Sequence, residues 1–199
     1  MARDHYRNCI KCIYSILMFR TYVPSILFEP IDIGPVTMRN RIVSSASFSA
    51  MSDNGLFGER IALYHAEKAK AGVALTITEE LAVHPSTEFG LSRNVRAFDR
   101  ASIARFRRFT EIVHKYGAKT IGQLWHAGCH NLNRNQQLDI RIPLAVSPVP
   151  SMAFQDGYSV PRELTTREIS EIQEDTRILR RICSTGDSMV WKSTRRTVT

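Results

Sequence analysis

Thr120-Ile121-Gly122-Gln123-Leu124-Trp125-His126-Ala127-Gly128 reads as a buried strand that stops abruptly in a turn of small residues. An amide, Gln123, and an imidazole, His126, stand at its carboxyl end. In a parallel α/β fold that end is where ligands bind, because the loops there vary while the strands hold position. A single glutamine at a strand end is ordinarily a polar cap. Its meaning here comes from the surrounding chain, which sets the same arrangement at two other strand ends.

Upstream, Asp99 can cap a helix whose apolar stripe is Ile103, Phe106, Phe109, Ile112, Val113 and Tyr116, with Gly117 ending it. Val73–Thr78 reads as a second strand, apolar almost throughout, as a strand covered on both faces should be. Before it, residues 59 to 70 carry Ala62, Ala66 and Ala69 on one helical face, with Gly72 just past the end. Ile42-Val43-Ser44-Ser45 is a first short buried strand. Ile31 and Ile33, then Val36 and Met38, alternate about Gly34-Pro35 and predict a short hairpin. Downstream come a polar loop, Asn131–Gln137, and a segment bearing Pro143, Pro148 and Pro150. Thr165-Thr166-Arg167-Glu168 then makes a capping box ahead of Ile169, Ile172 and Leu179.

Alternating strands and helices predict a parallel α/β protein. No G-x-G-x-x-G turn or G-x-x-x-x-G-K-[ST] loop precedes the second strand, so the Rossmann and P-loop readings lack their phosphate-binding element. The expected fold class is therefore α/β, the amino-terminal portion of a (β/α)8 TIM barrel with a short N-terminal hairpin. The barrel is expected to be incomplete, because closing one typically takes about 250 residues. The expected divisions are an irregular extension over 1–22, the partial barrel over 23–182 and a tail over 183–199.

The chain has 199 residues, 43% of them hydrophobic, enough to bury a real core. No apolar run reaches the length of a membrane span. The first 22 residues resemble a poor signal peptide, broken by Lys11, and read better as an extension. The net charge of +8 belongs to the ends: residues 23–175 hold 17 basic and 17 acidic residues. A neutral body argues against a nucleic-acid-binding face. Cys9, Cys12, Cys129 and Cys183 suggest no disulfide framework, and Cys9-Ile-Lys-Cys12 finds no second pair for a zinc site.

Several motifs occur in one order over roughly residues 26–175: Leu27-Phe28-Glu29-Pro30 with Asn40-Arg41-Ile42-Val43; Glu59-Arg60 through Tyr64-His65-Ala66-Glu67-Lys68-Ala69; Thr76-Ile77-Thr78-Glu79; Gln123 through Gly128; and Pro161-Arg162-Glu163-Leu164-Thr165. In these the chain resembles the Old Yellow Enzyme family of FMN-dependent NADH:flavin oxidoreductases, nearest the branch of 2,4-dienoyl-CoA reductase and trimethylamine dehydrogenase. The resemblance implies a flavin lying across the mouth of the barrel. Ser45, Ala46, Ser47 and Phe48 match the segment whose backbone runs along it, Glu80 a position that meets it through the main chain, and Gln123 the amide that pairs with its pyrimidine edge. Phe48 stands where many relatives carry Cys or Thr, and Cys129 where many carry Arg. No catalytic or metal-ligating residue is carried over, since the family's acid/base pair belongs to strand four.

The implied cofactors are FMN, with NAD(P)H as reductant. The implied reaction passes hydride from nicotinamide to flavin and on to an activated alkene or similar small molecule. The expected partner is a small-molecule substrate, with no nucleic acid and no membrane, in the cytoplasm, with a homo-oligomer left open. The alternative is a truncated, non-catalytic product that binds no flavin. The tail from about Cys183 reads as a displaced frame of the family's strand four, which expects Asp-Gly-Val-Glu-Ile-His where this chain has Met189-Val190-Trp191-Lys192-Ser193.

Overall fold

The computed structural model describes residues 25–87, 94–130, 142–150, 160–184 and 189–193. The extension with Cys9 and Cys12, and the loop Asn131–Gln137, lie outside them. The chain divides into two compact units, the first ending at Ile42 and the second beginning at Val43.

In the first unit, β1 (Ile31–Ile33) and β2 (Val36–Met38) pair antiparallel, Ile31 opposite Met38 and Ile33 opposite Val36. Gly34 turns the chain at φ +57°, a region glycine enters without strain. Thr37 Oγ1 donates to Asp32 Oδ1 across the pair at 2.6 Å. This is the predicted hairpin.

The second unit is built on a parallel sheet. β3 (Val43–Ser44), β4 (Leu75–Ala82), β6 (Lys119–Trp125) and β9 (Met189–Ser193) lie side by side in chain order, and β5 (Val95–Arg96) pairs with the far end of β4. Helices α1 (Glu59–Lys70), α2 (Ala101–His114) and α3 (Thr166–Ser184) connect them. Sequential strand order with a helix in each crossover is the arrangement of a singly wound barrel. A doubly wound sheet would reverse direction at a switch point. The described sheet does not close.

The helices form as their residues dictate. On α1, Ile61, Ala62, His65, Ala66 and Ala69 are buried, and the alanines let it lie close to its neighbours. On α2, Phe106, Phe109 and Val113 are buried, and Asp99 Oδ1 accepts the Ala101 N–H at 2.9 Å. The capping box of α3 is reciprocal: Glu168 donates its N–H to Thr165 Oγ1 (3.2 Å), and Glu168 Oε2 accepts the Thr165 N–H (2.8 Å). Arg162 also pairs with Glu168. That guanidinium first, then Thr165, holds the Glu168 carboxyl down at about 2. Phe57, from the loop before α1, joins Phe106 and Phe109 at 5.5 and 4.5 Å between ring centroids, in a core that takes Leu81 and Leu124 from the sheet.

Two features go beyond the sequence reading. The second strand begins at Leu75 and runs on to Ala82, through Glu79 and Glu80. A register shift between Ile77 and Glu80 lets the strand carry these carboxylates without breaking its pairing with β6. Residues 189–193, within the stretch read from sequence as a non-family tail, pair in parallel with β6, Thr120 opposite Met189 and Leu124 opposite Ser193. The backbone of β6 offers an unpaired edge there, and a run of strand-forming residues satisfies it. A short parallel pair, β7 (Leu144–Ala145) with β8 (Arg162–Glu163), was also not anticipated.

Candidate functional site

The candidate residues all lie toward the carboxyl ends of parallel strands. Ser45, Ala46, Ser47 and Phe48 leave β3 as an irregular segment; Ser45 and Ser47 are exposed, Ala46 is half-buried and Phe48 is 48% exposed. Glu80 and Gln123 are half-buried and face each other as register partners on β4 and β6. The structure thus brings Glu80 and Gln123 side by side. It joins the β3 segment to them through its far end, because Ser49 is bound to Glu79, the neighbour of Glu80 in the chain.

Thr78 Oγ1 accepts the Gln123 N–H at 3.1 Å and donates to the Glu79 carbonyl at 3.0 Å, so the main chain at Gln123 is fixed. Gln123 Oε1 is buried with no hydrogen-bond partner among the described residues, and the same holds for Glu80 Oε2 and Glu79 Oε1. Buried acceptors are rarely left unpaired in a folded protein, so each of these oxygens has room for a donor that is not among the described residues.

Glu79 was quoted in a sequence motif but not chosen as a site residue. It is 1% exposed, and its Oε2 accepts both the backbone N–H and the hydroxyl of Ser49, each at 2.6 Å. Burial pushes its carboxyl up; the two Ser49 bonds pull it back, and the Glu80 charge adds to the rise.

A second group that sequence reasoning missed lies at the ends of β4 and β6. The backbone N–H groups of Ser86 and Gly128 donate to His84 Nδ1 and His126 Nδ1, each at 3.1 Å. An imidazole that accepts at Nδ1 carries its proton on Nε2. The Ser86 hydroxyl consequently accepts from His126 Nε2 (2.9 Å) and donates to His84 Nδ1 (2.7 Å). Thr87 Oγ1 accepts the Ala127 N–H at 2.6 Å, a further tie between the same two loops. Burial, with the nearby His84 adding, lowers His126 to about 4. His126 was visible in sequence, but nothing local marks Ser86 as its partner 40 residues away. Among the described residues no group of three His, Cys, Asp or Glu could hold a metal ion, and no helix is long and apolar enough to cross a membrane.

The chain has known relatives. The 4,4'-dithiodibutanoate disulfide reductase of Rhodococcus erythropolis is 38% identical over 138 residues, which are 69% of this chain and 33% of that protein. The NADH oxidase of Thermoanaerobacter brockii is 33% identical over 156 residues, 76% of this chain and 23% of that protein. The chain therefore spans a third or less of the length of these relatives. Among solved structures, morphinone reductase in complex with tetrahydroNAD superposes with a TM-score of 0.70 at 23% identity, covering 84% of this chain and 48% of that one. A 2-naphthoyl-CoA reductase does so with 0.73 at 22%, covering 84% and 27%. These two likenesses support the fold, an open part of a TIM barrel. The sequence profile of the NADH:flavin oxidoreductase / NADH oxidase family matches residues 26–177, and the chain belongs to that family.

Proposed function

We propose that this chain supplies the β3, β4 and β6 side of an FMN site in an oxidoreductase that draws hydride from NAD(P)H and passes it to an activated alkene or similar small molecule. The single observation that carries the reading is the buried, unpartnered carboxamide oxygen of Gln123 at the end of β6. The pyrimidine edge of a flavin offers an N–H beside carbonyl oxygens, and one carboxamide can answer both. The residues therefore fit the group. Gln123 would hold that edge, Glu80 would meet the ring through its main chain, and Ser45 to Phe48 would run along it. Bound FMN would supply the hydride chemistry, while the protein supplies position and electrostatics. A small-molecule substrate and a cytoplasmic setting belong to the same proposal.

The test is a graft. Residues 26–177 replace the matching segment of the Rhodococcus reductase, so that a complete barrel is present. The chimera is expected to purify with FMN and to be reduced by NADH. Gln123→Ala in it should weaken FMN binding roughly fivefold to 150-fold, the consequence of about 1–3 kcal/mol lost when a buried edge goes unpaired. Equal affinity in the two proteins, read by flavin fluorescence, would remove Gln123 from the site.

A further inference from the structure

We infer that Glu79 is a positioning residue, whose buried carboxyl holds the segment from Ser45 to Ser49 in place over the strand ends. The contact is specific. Both donors of Ser49, one from the backbone and one from the side chain, converge on the same oxygen, Oε2, at 2.6 Å each. Ser49 also orients the chain beyond it, since its Oγ accepts the Met51 N–H at 3.3 Å. Ala50 between them sits at φ +55°, a left-handed backbone that a non-glycine residue keeps only when its neighbours enforce it.

Among the described residues the rest of the segment has few other ties. Ser45, Ser47 and Phe48 are exposed, and β3 pairs with β4 over only Val43 and Ser44. A segment with one short strand at its start and one fixed residue at its end takes its path from those two points. Glu79 is the second of them, and it stands next in the chain to Glu80, which faces Gln123. Moving Ser49 would thus move the stretch assigned to the flavin relative to the amide assigned to its edge. That consequence rests on the FMN reading; the hold on the segment does not.

Local opening can be read at one peptide bond. The N–H that Glu79 binds belongs to the Phe48–Ser49 bond, and Phe48 is an exposed aromatic residue, so chymotrypsin has its preferred side chain at the bond that the carboxyl pins. Cleavage requires that bond to be freed, and its rate follows the population of the open segment when opening is fast. The experiment uses the 199-residue chain without flavin, with cleavage after Phe48 followed by mass spectrometry and global unfolding measured alongside. Glu79→Ala is expected to speed that cleavage roughly tenfold or more beyond any change in global stability, because two hydrogen bonds to a buried acceptor are lost. Glu79→Gln, which keeps an acceptor oxygen for Ser49, should restore most of the protection. Ser49→Ala, which removes one donor and leaves the backbone bond, should fall between the two. Cleavage after Phe48 that tracks global stability alone in all three variants overturns the inference, as does a Glu79→Gln chain cut as fast as Glu79→Ala. No flavin enters the measurement, so failure of the FMN reading cannot be mistaken for failure of this one.

Discussion

A polypeptide of these 199 residues, expressed by itself, is expected to emerge from gel filtration without FMN. The residues proposed for the site reach the ring only. In parallel barrels the phosphate is commonly received by loops after strands seven and eight, with backbone donors or a helix terminus meeting its charge. Hydrogen bonds to a charged group are each worth about 1.5–3 kcal/mol, so losing three would weaken binding roughly a thousandfold or more. The sheet adds a second obstacle. Among the described residues β3 and β5 lie on one side of the sheet and β9 on the other, each with a free edge, and Val43 on β3 is 47% exposed. Open edges recruit other chains, so self-association should compete with cofactor binding. The absorbance ratio at flavin and protein wavelengths decides the matter. A soluble yellow preparation with one FMN per chain would falsify this expectation and point to two chains completing one site.

Acidification from pH 7 to pH 4 is expected to cost the second unit about 3 kcal/mol for each of two histidines, His65 and His126. Both fall from the ordinary 6.5 to about 4. For His65 the cause is first burial and then the charge of Lys68. Its Nδ1 lies 2.5 Å from Thr76 Oγ1, and its ring packs against Phe57, Tyr64 and Phe109. Since these folded values lie below the unfolded one, the unfolded chain takes up protons first as pH falls. The stabilisation is complete above about 6.5 and is lost on the way down to about 4. Glu79 acts in the opposite sense. Its raised carboxyl is protonated first in the folded state, so its contribution improves as pH falls and offsets part of the loss. Urea unfolding at stepped pH should show the decline in the natural sequence. It should show a flatter curve in a variant carrying His65→Phe and His126→Ala, even if that variant is less stable at pH 7. Parallel curves for the two would mean that neither imidazole is buried as a neutral ring.

Much of this fold is written locally. The hairpin about Gly34, the alanine face of α1, the aromatic stripe of α2 and the Thr165–Glu168 box each depend on residues within a few positions of one another. Each appears where periodicity and turn chemistry place it. The order of these elements already implied a parallel sheet with its binding end beyond Gln123. Family motifs, in turn, singled out Glu80 and the segment from Ser45 to Phe48. What the sequence did not disclose are partnerships made across long stretches of chain. The Ser49–Glu79 contact joins residues 30 apart, and the Ser86–His126 bond joins residues 40 apart. The facing of Glu80 and Gln123 depends on a register shift that carboxylates in an apolar strand do not announce. The pairing of residues 189–193 with β6 likewise follows from an edge that exists only once the sheet is assembled. Turn and helix signals are short-range because they arise from backbone sterics and neighbouring side chains. The partner of a buried polar group is instead whichever donor the packed strands bring within about 3 Å, and only the tertiary structure decides that.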